Sequence, residues 1–75
     1  MKIAEASEGQ SYWVRRISLE TETERRLEML GMTEGAAVTV LSRHTNGDAI
    51  VKVRGTRLAI GKKIADGIEI GSDPA

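Results

Sequence analysis

Short runs in which apolar residues alternate with polar ones occupy most of the chain, and they predict β-strands. Ser11 to Ile17 combines aromatic and β-branched residues, which favour strands. Val14 and Ile17 lie three positions apart and would face opposite sides of a regular strand, so we expect a bulge at Arg15 or Arg16. Similar runs predict four further strands: Ala36 to Arg43, Ala49 to Arg54, Thr56 to Ile60 and Ile68 to Ile70.

The stretch between the first two strands has helical character instead. Thr21 is followed by Glu24 at the spacing of a capping box, in which each side chain accepts a hydrogen bond from a backbone N–H of the first turn. We therefore expect the helix to begin near Glu22, with its acidic residues at the positive end of the helix dipole. A helix this short is marginal alone and must be held by packing against the sheet.

The same helix is predicted to end at Gly31. A glycine takes the left-handed conformation without a Cβ penalty, and in that ending Met32 would pack back on Leu27. Leu27 and Leu30 are three apart and are expected on one buried face. These four residues, Leu27, Leu30, Gly31 and Met32, are therefore interpreted as structural.

Turn residues separate the predicted strands. Gly9 is expected to reverse a lead-in segment that tucks Ile3 against the body, and Gly35 closes the turn after the helix. Asn46-Gly47 is a strong hairpin signal because both residues tolerate a positive φ, and Gly55 marks a further reversal. Lys62 to Asp66 is expected to form a single helical turn, tighter than an α-helix.

These elements predict a mainly β fold, a small partly open β-barrel of five or so short strands with one helix between the first two. The 75 residues allow one domain, ordered from about residue 3 to residue 70, with 71–75 as a frayed tail. Its predicted core consists of Val14, Ile17, Leu27, Leu30, Met32, Val38, Val40, Val51, Val53, Leu58, Ile60, Ile64 and Ile68.

Net charge is zero, but the two signs are separated along the chain. The segment 43–63 holds six basic residues and one acidic residue, a balance of +5, and the rest of the chain carries −5. Two interpretations stay open: a basic binding face, or a solvated edge whose charges discourage strand aggregation. The chain has no Cys and no apolar run near the roughly 20 residues that span a bilayer, so we expect a cytoplasmic protein that is not embedded in a membrane.

The residues that carry chemistry are too few for an enzyme. One His and no Cys rule out a cysteine nucleophile with a histidine base, and no phosphate-binding loop motif occurs. His44 and Asp48 flank the Asn-Gly turn, but one imidazole and one carboxylate are too few for a tight transition-metal site. We therefore expect no catalysis, no cofactor and no metal site. Acidic residues cluster where a solvated helix start is expected, at Glu20, Glu22, Glu24 and Glu28.

The chain has two aromatic residues, Tyr12 and Trp13, and they are adjacent. Neighbouring residues of a regular strand face opposite ways, so one should be buried and the other exposed. The exposed one could anchor a partner, although the bulge could instead bury both.

Three runs together resemble the FeoA family. Arg26 to Val40 contains an Arg-Leu pair, a Leu-Gly-hydrophobic stop, a turn ending in Gly and a Val-x-Val strand. Val51 to Ile60 is similar to the family's paired strands around a Gly, here Gly55, and Ala65 to Ile70 is similar to its closing strand. Glu34 stands where the family commonly has Pro, and Ala6 where a larger aliphatic residue is usual.

The resemblance implies an SH3-like β-barrel that acts in bacterial ferrous-iron uptake. Its implied partner is FeoB, a membrane transporter with a cytoplasmic GTPase domain. The implied role is a non-enzymatic module that docks on that domain, and self-association is left open. The same domain type resembles the C-terminal domain of iron- or manganese-dependent repressors, but these 75 residues contain no helix-turn-helix, so we do not expect a stand-alone regulator. From the exposed basic and aromatic positions we expect the docking surface to use Arg25, Arg26, Arg54, Arg57 and Trp13, with Gly35 and Gly55 as further structural residues.

Two other functions remain as alternatives. The +5 segment could belong to a small barrel that binds nucleic acid, but it lacks the interleaved aromatic side chains of single-strand binders, so nucleic acid is not expected. A metal-linked regulatory domain is the other alternative, for which His44, Asp48 and scattered acidic residues are the available ligands.

Overall fold

A computed structural model describes residues 1–73, and their elements follow the predicted order. A short 3-10 turn, Ile3–Glu5, precedes the first strand. The elements are β1 (Ser11–Ile17), α1 (Thr21–Met29), β2 (Ala37–Arg43), β3 (Ala49–Val53), β4 (Thr56–Ile60), α2 (Lys62–Asp66) and β5 (Ile68–Gly71). No helix within residues 1–73 has the length and apolar character needed to cross a bilayer.

The strands form one antiparallel sheet in the order β4-β3-β2-β1-β5. The N-terminal segment lies beside β5, where the Ile70 N–H donates to the Met1 carbonyl at 2.7 Å and Lys2 bridges Glu69. The two end strands, β4 and β5, do not pair with each other. The mainly β prediction, with five short strands and a helix between the first two, is confirmed.

The predicted bulge in β1 is present. Val14 pairs with Ile70 and Arg16 pairs with Glu69, so Arg15 is the extra residue without a partner in β5. Because of this insertion both Val14 and Ile17 face the core, which a regular strand would not allow.

The end of α1 follows the predicted pattern in detail. Gly31 has a φ of +99°, the Met32 N–H donates to the Leu27 carbonyl at 2.9 Å, and the Gly31 N–H donates to the Glu28 carbonyl at 3.0 Å. These two bonds form a Schellman motif, and Leu27 and Met32 are both buried. The prediction that Leu30 is a core residue is wrong, since its side chain is 44% exposed. Leu30 is the C-cap, and Met32 rather than Leu30 lies in the core.

The start of α1 differs from the prediction. The helix begins at Thr21, one residue before Glu22, but its N-cap is Glu20 and no side chain caps it. The capping box of Thr21 with Glu24 is therefore wrong, because Thr21 already has helical geometry and the Glu24 N–H donates to the Glu20 carbonyl at 2.9 Å. The Glu24 N–H therefore makes the backbone hydrogen bond that is usual in the first turn of an α-helix.

One buried cluster lies between the sheet, α1 and α2. Apart from Leu30, the predicted core residues are buried, except that Leu58 and Ile64 are half-buried at its edge. The prediction omitted seven members: Ile3, Ala6, Tyr12, Ala36, Ala49, Ala65 and Ile70. Ile3 is fully buried, in agreement with its expected tucked position.

Three local predictions need correction. Lys62–Asp66 is an α-helix rather than a tighter turn, since the Ala65 N–H donates to the Gly61 carbonyl four residues back. Within the Asn-Gly turn only Gly47 has a positive φ, of +98°, and Asn46 does not. Gly71, expected in the frayed tail, belongs to β5. Asp73, also in the predicted tail, accepts a hydrogen bond at its backbone carbonyl from the Arg15 Nη2 at 2.8 Å. The last two tail residues, Pro74 and Ala75, lie outside the described residues.

Candidate docking surface

A tight turn joins β3 to β4 and carries one of the predicted docking residues. Val53 pairs with Thr56, so the loop between them consists of Arg54 and Gly55. Their φ angles are +48° and +79°, the signature of a type I′ hairpin turn. Arg54 has the only positive φ among the non-glycine residues of the described chain. The left-handed conformation costs an ordinary residue about 1–2 kcal/mol, and Asn would be the favoured residue at this position.

The Arg54 side chain lies across the end of α1. A Cβ built on Gly31 would fall 2.6 Å from the Arg54 Cδ and 3.1 Å from its Cγ, so the absence of a side chain at Gly31 makes room for the arginine stem. The negative end of a helix dipole favours a nearby cation. Gly31 therefore both ends α1 and accommodates Arg54.

A pair of like charges stands on the outer face of the hairpin. Lys52 and Arg57 are directly opposite each other in β3 and β4, and both are exposed. Their row continues through Thr39 of β2 to Ser11 of β1, whose hydroxyls are 2.8 Å apart. Like charges directly opposite each other destabilise a sheet, and an anion bound between them would relieve that repulsion. The row is thus basic at its β4 end and neutral at its β1 end.

The two arginines of α1 lie apart from the hairpin. Arg25 and Arg26 are exposed, and the Arg26 Nη2 is 3.4 Å from the Glu22 Oε1. Both side chains of this ion pair are more than three-quarters exposed, so it contributes little to stability. No hydrogen bond or ion pair in residues 1–73 connects Arg25 or Arg26 with the hairpin. The structure therefore brings Arg54 to α1 but does not join the four arginines into one cluster.

One of the two aromatic residues is buried, as predicted, but the other is not fully exposed. Tyr12 is 6% exposed and its hydroxyl accepts from the Ser7 N–H at 3.0 Å, while Trp13 is half-buried. Trp13 pairs with Ala37 of β2, and its register places it on the same face as Lys52 and Arg57. Since neighbouring strands are about 4.8 Å apart, Trp13 lies about 10 Å from β3 across the sheet.

This region also has an apolar part that was not predicted. Met29 and Leu30 are 86% and 44% exposed at the end of α1, beside the Gly31 that the Arg54 stem covers. The signal was present in the sequence, because a Schellman ending buries the residue after the glycine and leaves the two before it outside the core. Lys52 is a charged residue of this region that was not among the predicted docking residues. Its position opposite Arg57 follows from the register of the β3–β4 hairpin.

Two surface clefts flank the hairpin and α2. One, of about 350 Å³, is lined by His44, Asp48, Ala49, Ile50, Ala59, Ile60 and Gly61. The other, of about 310 Å³, is lined by Leu19, Glu20, Thr23, Gly61, Lys63 and Ile64. Within residues 1–73 no three His, Asp or Glu side chains are grouped so as to hold a metal ion. On α2 the Asp66 carboxylate, 2.8 Å from the Lys62 Nζ, raises the pKa of Lys62 above its ordinary value of 10.5 through a hydrogen bond and charge attraction.

Comparison with known proteins gives a consistent result. The model of the FeoA domain family matches residues 1–71. None of the curated proteins matches the sequence significantly. Among solved structures, the crystal structure of an iron uptake regulatory protein (FeoA) is 31% identical, with 95% of each chain covered and a TM-score of 0.84. FeoA of Chlorobium tepidum is 32% identical over 96% of this chain and 70% of that one, with a TM-score of 0.87.

A third structure adds a description of the fold. FeoA of Stenotrophomonas maltophilia, solved in complex with zinc, is 25% identical over 93% of this chain and 88% of that one, with a TM-score of 0.78. It is described as a prokaryotic SH3 domain protein and is suggested to act as an activating factor of bacterial ferrous iron transport. The SH3-like description agrees with the five-stranded sheet found here.

Proposed function

The chain belongs to the FeoA domain family, and from that premise we propose that it serves bacterial ferrous-iron uptake as a non-enzymatic docking module. Its partner is the cytoplasmic GTPase region of a FeoB-type transporter, which places the module in the cytoplasm. The family match over residues 1–71 supports the role in iron transport. The description of a relative as an activating factor of ferrous iron transport supports it as well.

The observation that carries the docking role is the basic hairpin of β3 and β4. Lys52 and Arg57 repel each other across the ladder, and Arg54 occupies a conformation that a turn-favouring residue would adopt at lower cost. Strained or mutually repelling exposed residues persist where they serve a purpose other than stability. A partner that supplies carboxylates would gain charge-assisted hydrogen bonds and remove the repulsion.

The docking surface extends from this hairpin in two directions. Across the sheet it reaches Trp13, a half-buried aromatic side chain on the same face. Along the Arg54 stem it reaches Met29 and Leu30 at the end of α1. Arg25 and Arg26 form its outer rim, where exposed charges guide association more than they hold the complex. Apolar anchors with a charged rim are the usual composition of a protein interface.

A pull-down tests the partner directly. The purified 75-residue protein is incubated with the soluble cytoplasmic domain of the transporter, with GTP, with GDP and without nucleotide. Capture that depends on the basic hairpin supports the proposal. The test variant is Arg57→Glu, and its matched control is Lys63→Glu, which makes the same change of −2 in net charge on α2, outside the proposed surface.

The expected result is capture by the native protein and by Lys63→Glu. Absence of capture in all three nucleotide conditions would refute the proposed partner. Tight binding to RNA or DNA at about 150 mM salt, which strengthens as the salt is diluted, would instead favour a nucleic-acid-binding barrel.

A further inference from the structure

The strand β4 ends the sheet, and its outer edge has no neighbouring strand in residues 1–73. The two-residue turn makes Val53 and Thr56 a hydrogen-bonded pair, and such pairs alternate along an antiparallel ladder. Thr56, Leu58 and Ile60 therefore bond to β3. The backbone N–H and C=O groups of Arg57 and Ala59 point away from the sheet, and neither residue takes part in another backbone hydrogen bond.

A strand added at the β4 edge would contact the side chains of these two residues. Arg57 lies opposite Lys52 and Ala59 lies opposite Ile50, all on the outer face. Ile50 and Ala59 also line the cleft of about 350 Å³, which His44, Asp48 and Gly61 extend beyond the end of the strand. The edge thus offers a positive position and, two residues further along, an apolar position beside a cleft.

We propose that the β4 edge receives an extended, acidic segment of the partner as a sixth strand. This proposal rests on the docking function proposed above and specifies how the hairpin engages its target. Opposite residues of paired strands point to the same face, so a residue opposite Arg57 lies beside both basic side chains and a residue opposite Ala59 lies over the cleft. The segment that fits carries a Glu or Asp and, two positions away, an aliphatic residue.

Charge decides between such a segment and a second copy of this chain. Pairing of β4 with β4 of another copy would join two Lys52–Arg57 pairs in one continuous face and so bring four like charges together. Basic residues on an edge strand are a known means of preventing that pairing. The same charges attract an acidic strand, while the backbone groups of Arg57 and Ala59 provide four hydrogen bonds that do not depend on its sequence.

Hydrogen exchange measured by NMR locates the added strand. The probe is a synthetic peptide of about eight residues, a usual strand length, with Glu and Val two positions apart on one face, Thr at the positions between them, and blocked ends. At nine-tenths occupancy the amide protons of Arg57 and Ala59 should exchange about tenfold more slowly, because exchange then requires release of the peptide. The Leu58 amide, already bonded to β3, should change little. Protection that does not alternate, or that appears on another element, would overturn the proposal.

Two variants separate the backbone contribution from the charge contribution. Ala59→Pro removes an outward N–H that bonds nothing within the sheet, so the fold should survive while peptide affinity falls about tenfold. Ala59→Ser keeps the N–H and should bind as the native protein does. Arg57→Glu should abolish binding of the Glu peptide and create binding of the matching Lys–Val peptide. Equal affinity of the native protein for both peptides would also overturn the proposal.

Failure of this proposal and failure of the docking function give different results. If the transporter domain binds native protein and Ala59→Pro equally well, docking stands and the added strand is refuted. If the Glu peptide protects Arg57 and Ala59 but the transporter domain does not bind, the edge is a strand-binding site. In that case the transporter is refuted as the partner of this chain. If Ala59→Pro does not fold, alternate N-methylation of the peptide removes the same hydrogen bonds from the other side and should abolish the protection.

Discussion

Gly31 serves two purposes that sequence reasoning could only partly foresee. Its position after a Leu and before an apolar Met was enough to predict a left-handed helix end, and the φ of +99° confirms it. Its second purpose, to leave space for the Arg54 stem, depends on a residue 23 positions away and has no local signal. Leu30 shows a different limit, since its spacing of three from Leu27 suggested a buried face, whereas the helix ending leaves it outside the core.

Replacing Gly31 tests both purposes against a matched glycine. Gly31→Ala should destabilise the protein more than Gly35→Ala, because both positions have a positive φ but only a Cβ at Gly31 meets Arg54. Each substitution should cost about 1–2 kcal/mol for the left-handed conformation. The excess at Gly31 should shrink when Arg54→Ala is added, as measured by urea unfolding. Equal costs at the two glycines would show that the Arg54 contact contributes nothing.

Lys62 and Asp66 provide a residue-scale test of charge. The ion pair stabilises the protonated amine, so its contribution is present below pH 10.5 and is lost as the pH rises through the raised pKa of Lys62. An NMR titration of the Lys62 side chain should give a midpoint above 10.5, and Asp66→Asn should lower it. A midpoint that Asp66→Asn leaves unchanged would contradict the pairing on α2.

At the scale of elements, the strands were more predictable than the helices. β1 and β4 have the predicted bounds, because aromatic and β-branched residues indicate β1 and alternation of apolar and polar residues indicates β4. α1 buries one side chain, Leu27, so neither periodicity nor propensity could fix its first residue. The sequence alone gives the excess of basic residues in the segment 43–63, which contains the hairpin. The opposition of Lys52 and Arg57 follows only from the register that the turn sets.

The turn of the hairpin offers a substitution that separates stability from docking. Arg54→Asn places a favoured residue at the first position of the type I′ turn and should stabilise the protein by roughly 0.5 kcal/mol or leave it unchanged. It also removes the arginine whose stem covers Gly31, so affinity for the transporter domain should fall. Thermal unfolding and the pull-down measure the two effects. A destabilised variant that still docks normally would show that Arg54 is retained for the fold.

At the scale of the whole molecule, the barrel is a scaffold that presents one basic hairpin. Its architecture and family could be predicted from the sequence because turn glycines, strand patterns and the helix ending occur in a specific order. The full extent of the proposed docking surface could not, since Lys52, Met29 and Leu30 join the predicted residues only through the hairpin register and the helix ending. Charge separation along the chain was compatible with a basic face without giving its shape.

The metal content of the molecule can be tested by thermal unfolding. Ferrous iron, manganese or zinc in modest excess should leave the melting temperature unchanged, because a metal that binds the folded state must raise it by mass action. His44 and Asp48 are the nearest candidates, and no three ligand side chains are grouped within residues 1–73. A stoichiometric increase that disappears in His44→Ala would favour a metal-linked regulatory domain.

Docking of this module on the transporter through its basic face can be tested by a binding titration of a charge-reversed variant. Arg26→Glu with Arg57→Glu changes two exposed side chains, so the melting temperature should stay close to that of the native protein. Calorimetry with the transporter's cytoplasmic domain should show binding by the native protein and by Lys63→Glu. It should show none by the double variant, and ferrous-iron uptake in cells should slow. Native affinity and normal uptake in a folded double variant would show that the protein does not dock through this face.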